Sequence, residues 1–74
     1  MVVSIVAKNA SVVGHNYVNG YVDGRVVSAD SGYGLWGQSG VSFSVPSGST
    51  YQVTAQTYPD PGGNLAVVTW GEFY

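Results

Sequence analysis

Apolar and polar residues alternate with a period of two along much of the chain. Val41, Phe43 and Val45 are separated by Ser42 and Ser44, the pattern of a strand with one buried face. Pro46-Ser-Gly-Ser49 follows. Proline presets φ at the first turn position and Gly48 can take a positive φ, so the chain reverses there into a strand over residues 50–57. In that strand Tyr51, Val53 and Ala55 oppose Gln52, Thr54 and Gln56. Residues 17–22 form another strand, with Val18 and Val22 on one face and Tyr17, Asn19 and Tyr21 on the other. Asp23-Gly24 follows at once. This pair is a strong hairpin signal, because a type I′ turn needs positive φ at both central positions, so residues 25–29 should pair back.

Four segments have less regular patterns. Residues 2–8 predict a first strand, with Asn9, Ala10 and Ser11 as the turn behind it; residues 11–14 either continue it or loop, and Gly14-His15-Asn16 falls in a loop. Residues 30–40, with four glycines and no sustained period, predict an irregular loop, as does the Pro- and Gly-rich stretch 58–64. Residues 65–74 are apolar on both faces, which suits a central strand or one at a subunit interface. Valine, threonine, tyrosine and phenylalanine dominate, and strong helix formers are scarce. The expected fold is all-β: a single domain over residues 1–74, a small antiparallel sandwich or barrel-like fold of five to seven short strands.

Composition adds a demand for assembly. A chain of 74 residues hides only about 60% of its surface on folding. Domains this small usually need disulfides, a metal or self-association. There is no cysteine, and the one histidine, His15, has only the scattered carboxylates Asp23, Asp30, Asp60 and Glu72 for company, which makes a tetrahedral zinc site a poor fit. Charged residues make up 8% of the chain against about 25% in an ordinary soluble domain. Self-association is the remedy these numbers favour.

The same numbers narrow the function. Net charge is −2, and Lys8 and Arg25 are the only basic side chains, too few to neutralise a nucleic-acid backbone. No apolar run exceeds the four residues 65–68, whereas a spanning helix needs about 20. Residues 1–8 lack the basic region and apolar core of a signal peptide. Gly32-Tyr-Gly-Leu-Trp-Gly37 satisfies G-x-G-x-x-G, but that fingerprint works only between a strand and a helix, and a serine-rich strand follows here. No nucleophile elbow positions His15 beside a serine, and the carboxylates have roles in turns or on an exposed strand face. No catalytic residue, metal site or cofactor is expected. Asn9-Ala-Ser11 matches a glycosylation sequon by chance.

The aromatics carry more information. Phe43, Tyr51 and Trp70 lie in alternating strands and are assigned to packing. Tyr33, Trp36 and Tyr58 fall in the Gly- and Pro-rich segments. There, rigid rings with a polar handle suit recognition, sugars above all, whose C–H faces stack on rings while amides and carboxylates bond the hydroxyls. Asp30, Gln38, Asp60 and Asn64 are the candidate polar partners. The competing expectation is that the rings fold back over an open end of the sheet.

Three segments in order carry a resemblance: Gly20-Tyr-Val-Asp-Gly24, then Val41-Ser-Phe-Ser-Val-Pro-Ser-Gly-Ser-Thr-Tyr51, and the ending Val68-Thr-Trp-Gly-Glu-Phe73. Together the set resembles the small C-terminal tip domains of bacteriophage tail fibres and tailspikes. The likeness covers roughly residues 3–74. It implies an all-β, homotrimeric, non-enzymatic domain of the virion that ends a fibre, locks its trimer and contacts host surface polysaccharide or lipopolysaccharide. The alternatives are a purely structural trimerisation module, or a small monomeric lectin-like or inhibitory module.

Overall fold

A computed structural model of the chain describes residues 1–9, 13–59 and 67–74. Six strands run in order: β1 (Val2–Asn9), β2 (Val13–Val22), β3 (Arg25–Leu35), β4 (Gln38–Ser44), β5 (Tyr51–Pro59) and β6 (Val67–Phe73). They form two three-stranded sheets, ordered β4-β1-β6 and β3-β2-β5, and every pairing is antiparallel. The expected all-β class and strand number hold. β1 and β2 are the central strands, and after the β2–β3 hairpin each successive strand changes sheet.

The hairpin at Asp23-Gly24 forms as expected, with φ of 50° and 79°. A register shift between Gly20 and Tyr21 interrupts the β2–β3 ladder above it. The odd positions of β1 and β4 face inward: Val3, Ala7, Val41 and Phe43 are buried. From the opposing sheet Val18 completes this core, together with Val45 beyond β4 and the half-buried Ile5, Val22 and Val53. Gly20 lies on the inner face of β2, where a β-carbon would run into the Phe43 ring. The absent side chain is what lets the ring fill the space between the sheets.

One end of the interior is polar. Asn9, Asn16 and Ser39 are almost wholly shielded from solvent and bond to one another across the two sheets. Asn16 Nδ2 donates to Asn9 Oδ1 at 3.1 Å and to the Gly37 carbonyl at 2.9 Å. The Ser39 hydroxyl donates to Asn16 Oδ1. Asn9 Nδ2 donates to the carbonyls of Gly14, at 2.8 Å, and Gly34, at 3.2 Å. Among the described residues no buried side-chain N or O lacks a partner. Buried amides are costly without such bonds, so this network fixes how the sheets meet. It also occupies the Asn9 amide, which leaves no acceptor for a glycan on the sequon in the folded chain.

Five expectations are corrected. Residues 30–40 are not a loop: β3 runs to Leu35, and β4 begins at Gln38. The connection is tight, with the Gly37 N–H donating to the Gly34 carbonyl at 3.2 Å and Trp36 at φ 60°. The glycines of this stretch serve close approach as well as turning. A β-carbon on Gly32 would meet the Gln38 backbone, with Gln38 C at 2.7 Å, so β3 and β4 pass nearly in contact. His15 lies within β2, not in a loop, and Tyr58 and Pro59 lie within β5. Among the described residues β6 pairs with β1 alone, so of its two expected places, a central strand or a subunit interface, the first is excluded: it is an edge strand of its sheet. Tyr51 is 42% exposed and so does not belong to the core. The Trp70 side chain lies outside the described residues, as do the proposed turn residues Ala10 and Ser11 and residues 60–66.

Candidate functional site

The outward face of β3-β2-β5 follows from strand alternation on β2. Gly14, Asn16, Val18 and Gly20 point inward and are buried, while His15 and Tyr17 between them are exposed. Register then sets the neighbours. His15 stands opposite Tyr33 on β3 and Tyr58 on β5. Tyr17 stands opposite Ser31 and Gln56, and Asn19 opposite Ala29 and Thr54. Two flanking strands thus bring three tyrosines and the histidine onto one surface.

The rings touch in sequence. His15 and Tyr33 have centroids 4.3 Å apart with planes tilted by 38°. His15 and Tyr17 are 6.1 Å apart and nearly parallel, at 12°. Tyr17 and Tyr58 meet edge to face, 5.7 Å apart at 71°. Such offset and edge-on pairs are the favoured arrangements of aromatic quadrupoles, so the rings hold each other in place while remaining open to solvent. The Tyr58 hydroxyl donates to Gln56 Oε1 at 3.3 Å. Around this row the outward side chains are Ser31, Gln56, Asn19 and Thr54, with Ala29 beyond Tyr17 and the exposed Val13 and Leu35 at the His15 end. The result is a shallow shelf with Tyr58 standing as a wall. Among the described residues there is no enclosed cavity and no cluster of three His, Cys, Asp or Glu side chains.

The expected site residues divide. Tyr33 and Tyr58 come together on the shelf, but from strands and with His15 between them. Trp36 does not join them: it sits at the β3–β4 turn with Lys8 Nζ 5.4 Å from its ring centroid. Asp30 accepts a hydrogen bond from the Gly40 N–H at 3.0 Å, which ties β3 to β4. Gln38 is exposed at the start of β4. Asp60 and Asn64 lie outside the described residues. Sequence reasoning missed His15 and Tyr17 as site residues. The face bearing Tyr17 was legible, but Gly14 and Asn16 at inward positions hide the alternation that continues it to His15.

A second exposed aromatic pair, Tyr51 and Phe73, lies at the other end of the sandwich, with centroids 6.0 Å apart. It joins β5 of one sheet to β6 of the other. Between the two ends, Ala55 on β5 is exposed although its register partner Val18 is fully buried. The cover over the inner face therefore reaches Val53 on β5 but stops short of Ala55.

One carboxylate has a resolved electrostatic environment. The Thr50 N–H donates to Asp23 Oδ1 at 3.0 Å, and the Asp23 N–H donates to the Thr50 carbonyl at 3.0 Å. That backbone N–H foremost, then the Ser49 hydroxyl, holds the Asp23 carboxyl below its usual value. The pair pins the β2–β3 turn to the start of β5.

No family model matches this chain, and no curated protein or solved structure was found to be similar to it.

Proposed function

We propose that this chain is a non-enzymatic, self-associating adhesion module: the homotrimeric tip of a phage tail fibre or tailspike, placed on the virion, which stabilises the trimer and docks on a host-surface polysaccharide or lipopolysaccharide. The observation that carries the adhesive part is the row Tyr33, His15, Tyr17 and Tyr58, an open surface of rings bordered by uncharged side chains, Ser31, Gln56, Asn19 and Thr54 among them. Rings of this kind offer apolar area and a polar handle at little entropic cost. A flat shelf suits a long, repetitive ligand, which needs no cleft.

The surplus of apolar surface supports assembly. Among the described residues nine large hydrophobic side chains besides Tyr17, Tyr33 and Tyr58 are exposed while six hydrophobic residues form the buried core. Three weak sites on one rigid trimer would raise avidity by about 10²-fold or more without new contacts. The ordered motifs that resemble fibre tips agree with both parts.

The test is binding of the purified chain to an array of bacterial polysaccharides and lipopolysaccharides and to the bacteria that display them. The proposal expects binding to a bounded set of glycans that is lost in Tyr58→Ala. Absence of binding to every glycan and every host would overturn the adhesive part. A second reading, a purely structural trimer clamp, is favoured by the Tyr51–Phe73 pair, which lies far from the ring row and would sit against other subunits.

A further inference from the structure

We infer that the ring row is a two-unit subsite for an unbranched, uncharged hexose chain lying along β2; this rests on the glycan reading above and goes further by fixing the site, the direction and the ligand class. The direction follows from the rings. His15 and Tyr17 are two residues apart on one strand, with nearly parallel rings whose centroids are 6.1 Å apart, a step on the scale of one hexose unit. One sugar stacks on the face of His15 turned away from Tyr33, whose ring covers the other face at 4.3 Å, and the next on Tyr17. Tyr58, edge-on to Tyr17, walls the second position on the β5 side.

The ligand class follows from charge. The two permanent cations lie off the row: Lys8 is over the Trp36 ring, and Arg25 is at the hairpin opposite Val22. The outward register neighbours of the row are Ser31, Gln56, Asn19, Ala29 and Thr54, with Val13 and Leu35 at the His15 end, all uncharged. A sulfated, phosphorylated or uronic chain would find no permanent counter-charge there and would meet a protein of net charge −2. A neutral chain finds what it needs. The Gln56 carboxamide, its oxygen held by the Tyr58 hydroxyl, keeps two N–H donors for sugar hydroxyls, and Ser31, Asn19 and Thr54 continue the polar border.

The test is an NMR titration of the intact chain with maltohexaose, cellohexaose and mannohexaose, and with hexagalacturonate as a carboxylated probe of equal length. The expected result is that at least one neutral hexamer shifts the His15, Tyr17, Tyr33 and Tyr58 ring signals and that hexagalacturonate binds more weakly. Tyr17→Ala should weaken binding about tenfold, the loss of one stacked ring. Tyr58→Phe, which keeps the ring, should retain affinity within about threefold, and Trp36→Ala within about twofold. All three positions are solvent-exposed, and a dispersed amide spectrum checks that each variant folds. Neutral-hexamer binding that maps to Trp36 and survives Tyr17→Ala would overturn the subsite while leaving the glycan reading standing. Tighter binding of hexagalacturonate would overturn the ligand class alone, as would capture of host polysaccharide on the array with no response to any neutral hexamer. Silence toward all saccharides and all hosts would remove the adhesive reading itself.

Discussion

Asn16 and Asn9 meet through their side-chain amides at 3.1 Å, fully buried, one from each central strand. Asn16 is the hub, since it also bonds the Gly37 carbonyl and accepts from Ser39. Asn16→Ala would strip that partner from two buried groups, Asn9 Oδ1 and the Ser39 hydroxyl, while the Gly37 carbonyl keeps the Asn9 N–H. With each unpaired group costing about 1–3 kcal/mol, the expected loss is at least about 2 kcal/mol. Ser39→Ala removes one bond and should cost about 1 kcal/mol. Urea unfolding of the two variants checks the order; equal losses would contradict a hub role for Asn16.

Gly20 and Phe43 face each other across the core. A methyl group at Gly20 would overlap the ring, with Phe43 Cδ1 at 2.7 Å, and the ring is packed on its other side by the sheet it belongs to. Gly20→Ala is expected to destabilise by about 1–3 kcal/mol through overpacking. Adding Phe43→Leu should recover part of that loss. If the double variant is less stable than the two single effects summed, the contact is not the cause.

Asp23 makes stability depend on acid. Its folded value lies below its ordinary one because the Thr50 N–H and then the Ser49 hydroxyl bond the charged form. A depressed carboxylate stabilises the fold fully above its unfolded value of about 3.9 and loses that contribution as pH falls through the lower folded value. Asp23→Asn keeps a residue that tolerates the turn's φ of 50° but removes the titration. Urea midpoints measured at about pH 6 and about pH 2.5 should fall further in the wild type than in the variant; an equal fall would mean that Asp23 contributes nothing to acid sensitivity.

Trp36 occupies a left-handed conformation that a bulky side chain adopts only at a cost of about 1 kcal/mol or more. The Lys8 contact over its ring returns about 0.5–1 kcal/mol at an exposed site. The two terms oppose each other. Trp36→Asn is therefore expected to leave stability within about 1 kcal/mol of the wild type, by thermal or urea unfolding. A loss several times larger would show that the turn depends on the indole.

Local chemistry made part of this fold legible. Asp23-Gly24 names its own turn, and the Val41, Phe43, Val45 alternation names a buried face, because both signals act over a few neighbouring residues. Gly32 and Gly20 were opaque for the opposite reason: what they accommodate, the Gln38 backbone and the Phe43 ring, comes from elsewhere in the chain. Trp36 misleads further, since the positive φ falls on the tryptophan and not on the glycine beside it. Tyr33 and Tyr58 were legible as candidates by residue type, but their meeting around His15 is a product of strand register. Tyr51 fits the alternation yet stays exposed, because alternation identifies a face without saying where its cover ends.

On the proposed reading, this small, charge-poor sandwich covers its surplus apolar surface with copies of itself. Light scattering after size exclusion, repeated over a dilution series, tests it most directly. The account predicts a mass near three times 7.7 kDa that persists on dilution; a folded monomer at all concentrations would contradict it.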